Sequence, residues 1–532
     1  MTGVPPIYNL HVDILWEIFI LNANLDDIST VHVLYEPGQG SPRYRYSPLT
    51  ITRRTSQVCQ LWRNLILNSS SIWGRLIHLD FLDQASEDWR MEVLRRSGNA
   101  PLTIKGDVMG YIIEDFFFLL LEVEWTRIKW LDVRMNNDYE FEDNVWDPIH
   151  CANPTLEYFN LRYYSNSIRI QGRSSKSLFG DNAPLLRAFH STSVGFSLAS
   201  PWITQLRHIT LSSLLSLSDI LQALQNMPLL ESLQINQLSP GTSHNMPYPL
   251  PRIVLGHLRK LTVTGRFEVI LPFLDCIIQV APGCGLSLTL SSHSIHTIDE
   301  VKKDDCRRIF ARFAQTYFSK FSPNAISIYV DGPTNSFVFS DRLGAVRLPS
   351  SPIYKVEIVT TESIVMCVPY LSRTVLTYPM GAISFLELSL PSHGLFPDGK
   401  FDLELVNVLR GFISLTTLEI KEITTLSTIV QLYQTIALFP SLRKLVLVLQ
   451  QKLDVQLIQQ YLTMRKTFGA PLESLDLTFT SPRYFGDMTA LESVTGLNII
   501  WSDEVKHSLM EYTCGRTIRS SLLNFSASHS RH

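Results

Sequence analysis

Few residues in this sequence have the types and spacing that chemistry requires. His293 and His296 lie in a serine-rich stretch, where a surface turn is a better interpretation than a metal site. Gly38 and Gly40 form a lone G-x-G in a polar stretch without a preceding strand, which does not make a phosphate-binding loop. Cys59 lies in an apolar pattern, which favours a buried thiol over a nucleophile. We therefore predict that the chain is not an enzyme and uses no metal and no cofactor.

Composition indicates an ordered protein without a strong charge bias. Of the 532 residues, 45% are hydrophobic and 18% are charged, which excludes extensive disorder. The formal net charge of −3 lacks the basic excess that is typical of nucleic-acid-binding proteins. We therefore predict that the partners of this chain do not include a nucleic acid.

The cysteines and the apolar runs bear on the compartment. The seven cysteines are scattered and form no C-x-x-C pair, which argues against a disulfide framework and a structural zinc site. The N-terminus has no basic segment before its apolar residues, so we predict no secretory signal. The densest apolar run, FFFLLL at 116–121, is far shorter than the ~20 residues that a membrane span needs. We predict an intracellular protein, cytoplasmic or nuclear, with no membrane partner.

A short unit with apolar residues at its first, fourth and sixth positions recurs from about residue 125 onward. Copies begin at residues 156, 186, 206, 230, 258, 385, 415, 442 and 472, and 286–290 is a weaker copy. The spacing predicts a strand whose alternate side chains point inward, with the first apolar residue packed beneath it. Several intervening segments, such as 217–227 and 426–438, have helical periodicity. We predict an α/β fold over 91–500, a leucine-rich-repeat-like solenoid with parallel strands on its concave face.

Residues 293–382 fit this repeat least well. They include a predicted amphipathic helix whose basic residues are Arg307, Arg308, Arg312 and Lys320. A solvated outer face is a better interpretation of that basic side than a docking surface. The strand-like pieces at 324–331 and 354–359 are interpreted as degenerate repeats. Residues 501–532 are interpreted as a C-terminal cap and tail.

The first ninety residues have a different, helical texture. One apolar stripe is formed by Leu10, Ile14, Leu15, Ile18 and Phe19. A second is formed by Val58, Leu61, Trp62, Leu65 and Ile66, with Ser56 before it as the predicted helix N-cap. The polar run at 68–71 then predicts a turn, after which Trp73 restarts the apolar pattern. These spacings predict a helical module over residues 1–90.

The two stripes, IYNLHVDILWEIF at 7–19 and SQVCQLWRNLILNSSSIWGRLIHL at 56–79, resemble the two halves of an F-box. The arrangement is most similar to F-box-like proteins abundant in mushroom-forming fungi, where V-C-x-x-W-R and a later tryptophan follow a Leu-Pro-x-Glu-Ile-Leu start. Val58, Cys59, Trp62, Arg63 and Trp73 match the second half. The chain departs from the first half where His11 replaces proline and Asp13 replaces glutamate, and the stretch between the halves is long.

The resemblance implies a substrate receptor of an SCF-type (cullin-RING) ubiquitin ligase. Its F-box would bind the Skp-family adaptor, and its repeats would hold a target protein. The residues expected at the adaptor are Leu10, Ile14, Leu15, Ile18, Phe19, Val58 and Trp62, with Trp62 also packing the core of the module. The alternative is a leucine-rich interaction scaffold without a role in ubiquitin ligation.

The repeat pattern also predicts a surface for the target. In each strand the residues between the leucines point away from the core, onto the concave face. The residues expected there are Tyr158, Asn160, Arg162, His208, Gln234, Lys260, Glu419 and Lys421. We interpret Tyr158, Arg162 and Lys260 as anchors for a protein segment, the other possibility being that this polar face only keeps an exposed sheet hydrated.

Overall fold

The chain forms two compact units, Met1–Gln234 and Ile235–His532, each built from helices and a mostly parallel sheet. The computed structural model describes residues 10–24, 47–83, 86–135, 143–163, 177–191, 194–211, 215–238, 250–292, 300–331, 335–341, 352–360, 380–390, 403–434, 436–503, 508–515, 523 and 525. The turn-rich stretch within 26–50 predicts a surface loop; its residues 26–46 lie outside the described residues, and the prediction is wrong for 48–50, which begin the helix Pro48–Thr55.

Unit 1 begins with short helices. They are α1 (Val12–Asn22), α2 (Pro48–Thr55), α3 (Gln60–Leu67), α4 (Ser70–Trp73), α5 (Leu79–Leu82) and α6 (Glu87–Ser97), followed later by α7 (Tyr111–Glu124) and α8 (Leu217–Gln225). Single 3₁₀ segments span Trp125–Arg127, Asp143–His150, Leu178–Asp181 and Pro201–Gln205. His11 caps α1, because its Nδ1 accepts from the Asp13 amide at 3.4 Å.

The second predicted helix differs from the structure at its start. Ser47 Oγ accepts from the Thr50 amide at 3.1 Å and Pro48 occupies the first turn, so an additional helix, α2, forms before it and ends at Thr55. The prediction that Ser56 is an N-cap is wrong, because Ser56 is the C-cap of α2. Cys59 is extended and is the N-cap of α3, its Sγ accepting from the Trp62 amide at 3.5 Å. The prediction that Cys59 is a buried thiol is wrong: it is half-buried at a helix start.

The strands of unit 1 are parallel and pair in chain order. They are β1 (Ile77–His78), β2 (Leu102–Val108), β3 (Ile128–Met135), β4 (Tyr158–Tyr163), β5 (Ala188–Phe189) and β6 (His208–Leu211). The boundary between the units falls within β7 (Ser232–Leu238). Leu131, Phe159, Phe189 and Ile209 are partners in register and are all buried. This inward row contacts Phe179 through Phe159 at 5.1 Å, so the core of unit 1 lies on this side of the sheet.

Unit 2 contains eleven strands in one sheet among its described residues. They are β9 (Lys260–Arg266), β11 (Gly285–Ser292), β12 (Ala325–Asp331), β13 (Ser336–Asp341), β14 (Tyr354–Thr360), β15 (Phe385–Ser389), β16 (Thr417–Ile420), β17 (Lys444–Leu447), β18 (Ser474–Asp476), β19 (Asn498–Asp503) and β20 (Ser508–Thr513). They pair in the order β9-β11-β14-β13-β12-β15-β16-β17-β18-β19-β20. A separate parallel pair is formed by β8 (Ile253–Leu255) and β10 (Ile277–Val280).

The helices of unit 2 are α9 (Phe267–Cys276), α10 (Glu300–Phe318), α11 (Leu403–Arg410), α12 (Ile423–Tyr433) and α13 (Val455–Thr467). Short 3₁₀ segments span Met380–Ala382, Pro482–Tyr484 and Thr489–Ser493. Helix α10 packs on the inward side of the sheet, where Tyr317 and Phe318 contact Tyr354 of β14 at 5.9 and 5.3 Å. The core of this unit therefore lies between the sheet and its helices.

Every copy of the repeat contains a strand. The strand starts at the third position in eight copies, whereas β15 starts at the first position of its copy and β11 starts one residue before the weaker copy at 286–290. The leading leucines, for example Leu156, Leu206 and Leu415, are fully buried just before the strands begin. The stretch at 293–382 differs from a sequential stack of degenerate repeats. β12 lies beside β15, and β14 lies beside β11. β13 lies between β12 and β14 and is antiparallel to both. β12 ends at Asp331 and β13 begins at Ser336, too close in sequence for a helical crossover, so the two strands pair antiparallel.

Candidate functional site

The first helix divides its apolar stripe between the core and the surface. Leu15 and Phe19 are buried, and the Phe19 ring meets the Trp62 ring edge-on at 5.2 Å, which joins α1 to α3. Ile14 and Ile18 are one position earlier on the helix and stay 50% and 38% exposed. Leu15 and Phe19 therefore support the exposed residues from beneath and do not themselves face outward.

Exposed apolar side chains are concentrated on this module. Six of the nineteen large apolar side chains that are exposed in the described part of the chain lie between residues 12 and 61: Val12, Ile14, Ile18, Leu21, Val58 and Leu61. Leu10 and Trp62 are partly exposed. Among the residues predicted to bind an adaptor, Ile14, Ile18 and Val58 are thus the ones that a partner would reach most directly.

The second tryptophan of the module, Trp73, has a structural role. It is buried, and its Nε1 donates to the Ile66 carbonyl at 2.8 Å near the end of α3. Trp16 Nε1 similarly donates to Ser69 Oγ at 3.1 Å, which ties α1 to the turn before α4. These two bonds surround Asn68 and Ser69, to which the turn predicted at 68–71 is confined, because Ser70 and Ser71 belong to α4.

The outward face of the unit 1 sheet, which we call the ring face, carries a series of aromatic side chains. The rings of Trp130 on β3 and Tyr158 on β4 are register partners and stack in parallel, with centroids 3.9 Å apart and planes 1° apart. Tyr158 approaches His190 at 5.4 Å, and His190 approaches His208 at 6.4 Å. Lys105 places its Nζ 5.1 Å from the Trp130 ring. All five side chains are partly exposed.

Charged groups follow the rings on the same strands. Arg134 Nε donates to Asp107 Oδ1 at 2.8 Å, and Arg162 lies 3.6 Å from Asp132 Oδ1. The two arginines are register partners whose side chains are 50% and 45% exposed, whereas the aspartates are more deeply buried. The outermost charge at this end of the ring face is therefore cationic.

Asn160 was predicted to be exposed on this face and is instead buried. Its Nδ2 donates to Asp132 Oδ1 at 2.7 Å, and its Oδ1 has no hydrogen-bond partner among the described residues. Neighbouring strands are only ~4.8 Å apart, so a short side chain between Tyr158 and Arg162 is covered by longer neighbours. Trp130 Nε1 is likewise buried without a partner.

Sequence reasoning missed Trp130, Asp132 and Arg134. Their strand reads IKWLDV at 128–133, which has apolar residues at the first, fourth and sixth positions but begins with isoleucine, whereas eight of the nine copies begin with leucine. A search that did not favour leucine at the first position would have extended the repeat to β3.

His78 occupies the edge of the same face, since it is the register partner of Lys105. Its ring stacks on Phe81 at 4.3 Å, and its Nδ1 lies 3.7 Å from Asp80 Oδ2. Burial lowers the pKa of His78 to about 4, outweighing Asp107, which acts to raise it, while Lys105 lowers it further. His78 is therefore neutral at physiological pH.

The remaining predicted target-binding residues belong to β7 and unit 2. Gln234 is exposed on β7 and Lys260 is partly exposed on β9. Glu419 was predicted to point into solvent but is buried, because it lies beside its register partner Glu387 in the close-spaced ladder. Lys421 forms an ion pair with Glu387. The structure thus places Tyr158, Asn160, Arg162, His208 and Gln234 in unit 1, whereas Lys260, Glu419 and Lys421 belong to unit 2.

The outward face of unit 2, which we call the lysine face, pairs its charges internally. Besides Lys421, Lys444 lies 2.7 Å from Asp476, and Lys355 lies 2.8 Å from Glu357. Burial acts to raise the pKa of Asp476, but hydrogen bonds from Lys444 and Thr478 outweigh it and the pKa is lowered. Lysine–carboxylate pairs of this kind suit a hydrated sheet surface.

The basic side of α10 is also engaged within its own unit. Arg307 pairs with Asp304 at 2.6 Å, and Arg308 pairs with Asp275 at 3.0 Å. Arg312 donates to the Leu274 carbonyl at 2.6 Å, and burial lowers its pKa. These contacts hold α10 to α9 and leave little of the basic side for a partner.

No group of three or more His, Cys, Asp or Glu side chains in the described part of the chain is arranged to hold a metal ion. His293 and His296 lie outside the described residues. Among the described helices, none is long and apolar enough to cross a membrane. No protein-family model matches the sequence, and no curated protein matches it.

Proposed function

We propose that this chain is the substrate receptor of an SCF-type ubiquitin ligase, with an F-box-like module over 1–90 that binds a Skp-family adaptor. The observation that carries the proposal is the pair of exposed isoleucines, Ile14 and Ile18, on a helix that buries Leu15, Phe19 and Ile20 and also exposes Val12 and Leu21. Val58 and Leu61 expose further apolar surface on and beside α3. The order of an F-box-like sequence before leucine-rich repeats adds to it.

The physical support is the cost of leaving such side chains in water. Full burial of an isoleucine or leucine side chain is worth ~1.5–3 kcal/mol, and a partner that covers several of them gains a substantial part of this. A group of exposed aliphatic residues on one surface marks an interaction site more often than a single exposed aliphatic residue does. The repeats would form the target-binding solenoid of the same receptor.

The adaptor is tested by replacing Ile14→Asp and Ile18→Asp together in the full chain. A charge placed at an apolar contact loses its hydration without a compensating partner, so we expect capture of a purified Skp-family adaptor to be abolished. Because both positions are exposed in the free chain, the variant should keep the circular dichroism spectrum of the wild type.

The matched control is Ile112→Asp, which adds one charge at a 53% exposed isoleucine in the first turn of α7. It should bind the adaptor as the wild type does. A folded wild-type chain that fails to capture the adaptor contradicts the proposal, and the interaction scaffold without a ligase role would replace it.

A further inference from the structure

The ring face of unit 1 has the composition of a protein-binding surface, whereas the lysine face does not. Tryptophan, tyrosine and arginine are the side chains that dominate binding energy at protein interfaces, and Trp130, Tyr158, Arg134 and Arg162 lie on two adjacent strands. All four remain partly or half exposed. The rings are held in place by stacking on each other, so little side-chain freedom is lost when a partner covers them.

The charge on this face selects the partner. Arg134 and Arg162 extend above the carboxylates that they contact, and a guanidinium has five N–H donors in a planar fork. Both arginine side chains stay about half exposed, so they present positive charge to a ligand even though each already contacts a carboxylate. Lys105 adds a third cation on the same face, against the Trp130 ring. An acidic ligand complements this arrangement, and a basic one is repelled.

The rings define the second requirement. Because the two rings stack in parallel, their faces cover each other and their edges remain for a ligand. A planar or apolar side chain can pack against these edges. The rings lie at the start of β3 and β4 and the arginines lie four residues further along each strand. Four residues of extended strand span roughly 13 Å, so the ligand must reach across that distance.

We infer that the ring face binds an extended acidic peptide segment of a partner protein, with its carboxylates on Arg134 and Arg162 and an aromatic side chain on the Trp130–Tyr158 pair. This inference rests on the proposed function only where it identifies the peptide as the target of the receptor. Lys260, a predicted anchor in unit 2, is not part of this surface.

The test uses the full chain and three fluorescein-labelled synthetic peptides of equal length. One alternates glutamate with tyrosine, one alternates lysine with tyrosine, and one alternates glutamate with serine. Fluorescence anisotropy should show tightest binding by the glutamate–tyrosine peptide, and added salt should weaken it. Equal or tighter binding of the lysine–tyrosine peptide overturns the inference, and so does equal binding of the glutamate–serine peptide.

Two double variants locate the site. Arg134→Gln with Arg162→Gln, and Trp130→Ala with Tyr158→Ala, should each weaken the glutamate–tyrosine peptide by about tenfold or more. The matched control is Lys421→Gln with Lys444→Gln, which removes two partly exposed cations above carboxylates from the lysine face and should leave binding unchanged. An equal loss in the lysine variant overturns the inference, because binding would then follow net charge alone.

Adaptor capture by the same preparations separates this inference from the proposed function. Each ring-face variant should capture the adaptor as the wild type does, which also shows that unit 1 is folded. If the wild type binds the acidic peptide but no adaptor, the ligase role fails and the ring face stands. If it binds the adaptor but shows no preference among the peptides, the ring face fails and the ligase role stands.

Discussion

The ring face and the lysine face are both built mainly on parallel strands and differ in what points outward. In both units the inward positions are aliphatic or aromatic and buried, as in Leu131 and Phe159 of unit 1 and Leu418 and Leu445 of unit 2. The outward positions of unit 1 carry stacked rings and arginines, and those of unit 2 carry lysines, carboxylates and hydroxyls. Folding therefore constrains one side of each strand, and the other side is available for binding.

The cations of the two faces show the difference most directly. Lys421, Lys444 and Lys355 each place one compact ammonium group on a neighbouring carboxylate. Arg134 and Arg162 also contact carboxylates, but the planar guanidinium has donors for a second acceptor and stacks well beside aromatic rings. The lysine face can satisfy itself, whereas the ring face is better suited to a partner.

The largest expected difference lies within a single strand. Phe159→Ala removes a fully buried ring that contacts Phe179 and Phe189, and we expect it to lower the free energy of unfolding of unit 1 by about 3–5 kcal/mol. Tyr158→Ala removes its outward neighbour and should cost only about 1 kcal/mol, because that ring is partly exposed. Hydrogen exchange of the β4 and β5 amides measures both.

Equal losses from these two substitutions would mean that the Tyr158 side is also packed against a core. The ring face would then be a buried layer of unit 1 and not a binding surface. Unchanged exchange at β16 and β17 in both variants serves as the internal reference, since those strands belong to unit 2.

A second difference should appear as the pH falls. His78 has a pKa of about 4 in the folded chain and an ordinary value near 6.5 when unfolded, so between these values the unfolded state binds the extra proton. The stability that His78 contributes is complete above pH 6.5 and is lost as the pH falls towards 4, a change of roughly 3 kcal/mol in unit 1. His78→Gln should flatten this dependence in hydrogen exchange of β1 and β2.

Unit 2 should behave differently in the same window. Asp476 has a lowered pKa, so its contribution is present above the ordinary aspartate value near 3.8 and is lost only below it. Exchange at β17 and β18 should therefore show no loss from this pair between pH 6.5 and 4. A parallel decline in both units, unaffected by His78→Gln, would assign the effect to groups other than this histidine.

The inward half of this architecture was predictable and the outward half was not. Leucines at the first, fourth and sixth positions predicted ten strands, because burial of alternate side chains is set by the period of a strand. The antiparallel β13 was missed, since SFVFSD lacks the leading leucine of the repeat. Its position depends on pairing with β12 and β14, which no local pattern specifies.

The candidate sites show the same limit. The apolar stripe at residues 10–19 was found, but the division between buried Leu15 and exposed Ile14 depends on where α2 and α3 pack. Trp130 was missed on the ring face because its copy of the repeat begins with isoleucine in place of the usual leucine. Asn160 and Glu419 were expected in solvent and are covered by longer side chains of adjacent strands, which a single strand's sequence does not reveal.

The smallest expected effects concern pairwise coupling on the two faces. A double-mutant cycle of Trp130→Ala and Tyr158→Ala should give a coupling of about 0.5–1.5 kcal/mol, because the stacked rings interact beyond their buried area. A cycle of Lys444→Met and Asp476→Asn should give about 0.2–1 kcal/mol, since the lysine is partly exposed and its charge is screened.

The salt dependence distinguishes the ring coupling from the ion-pair coupling. Raising the ionic strength to 1 M shortens the screening length to about 3 Å, which should reduce the ion-pair coupling and leave the ring coupling unchanged. A ring coupling that falls with salt as the ion pair does would show that Lys105, through its contact with the Trp130 ring, carries the interaction. The two faces would then differ in geometry but not in the kind of force that stabilises them.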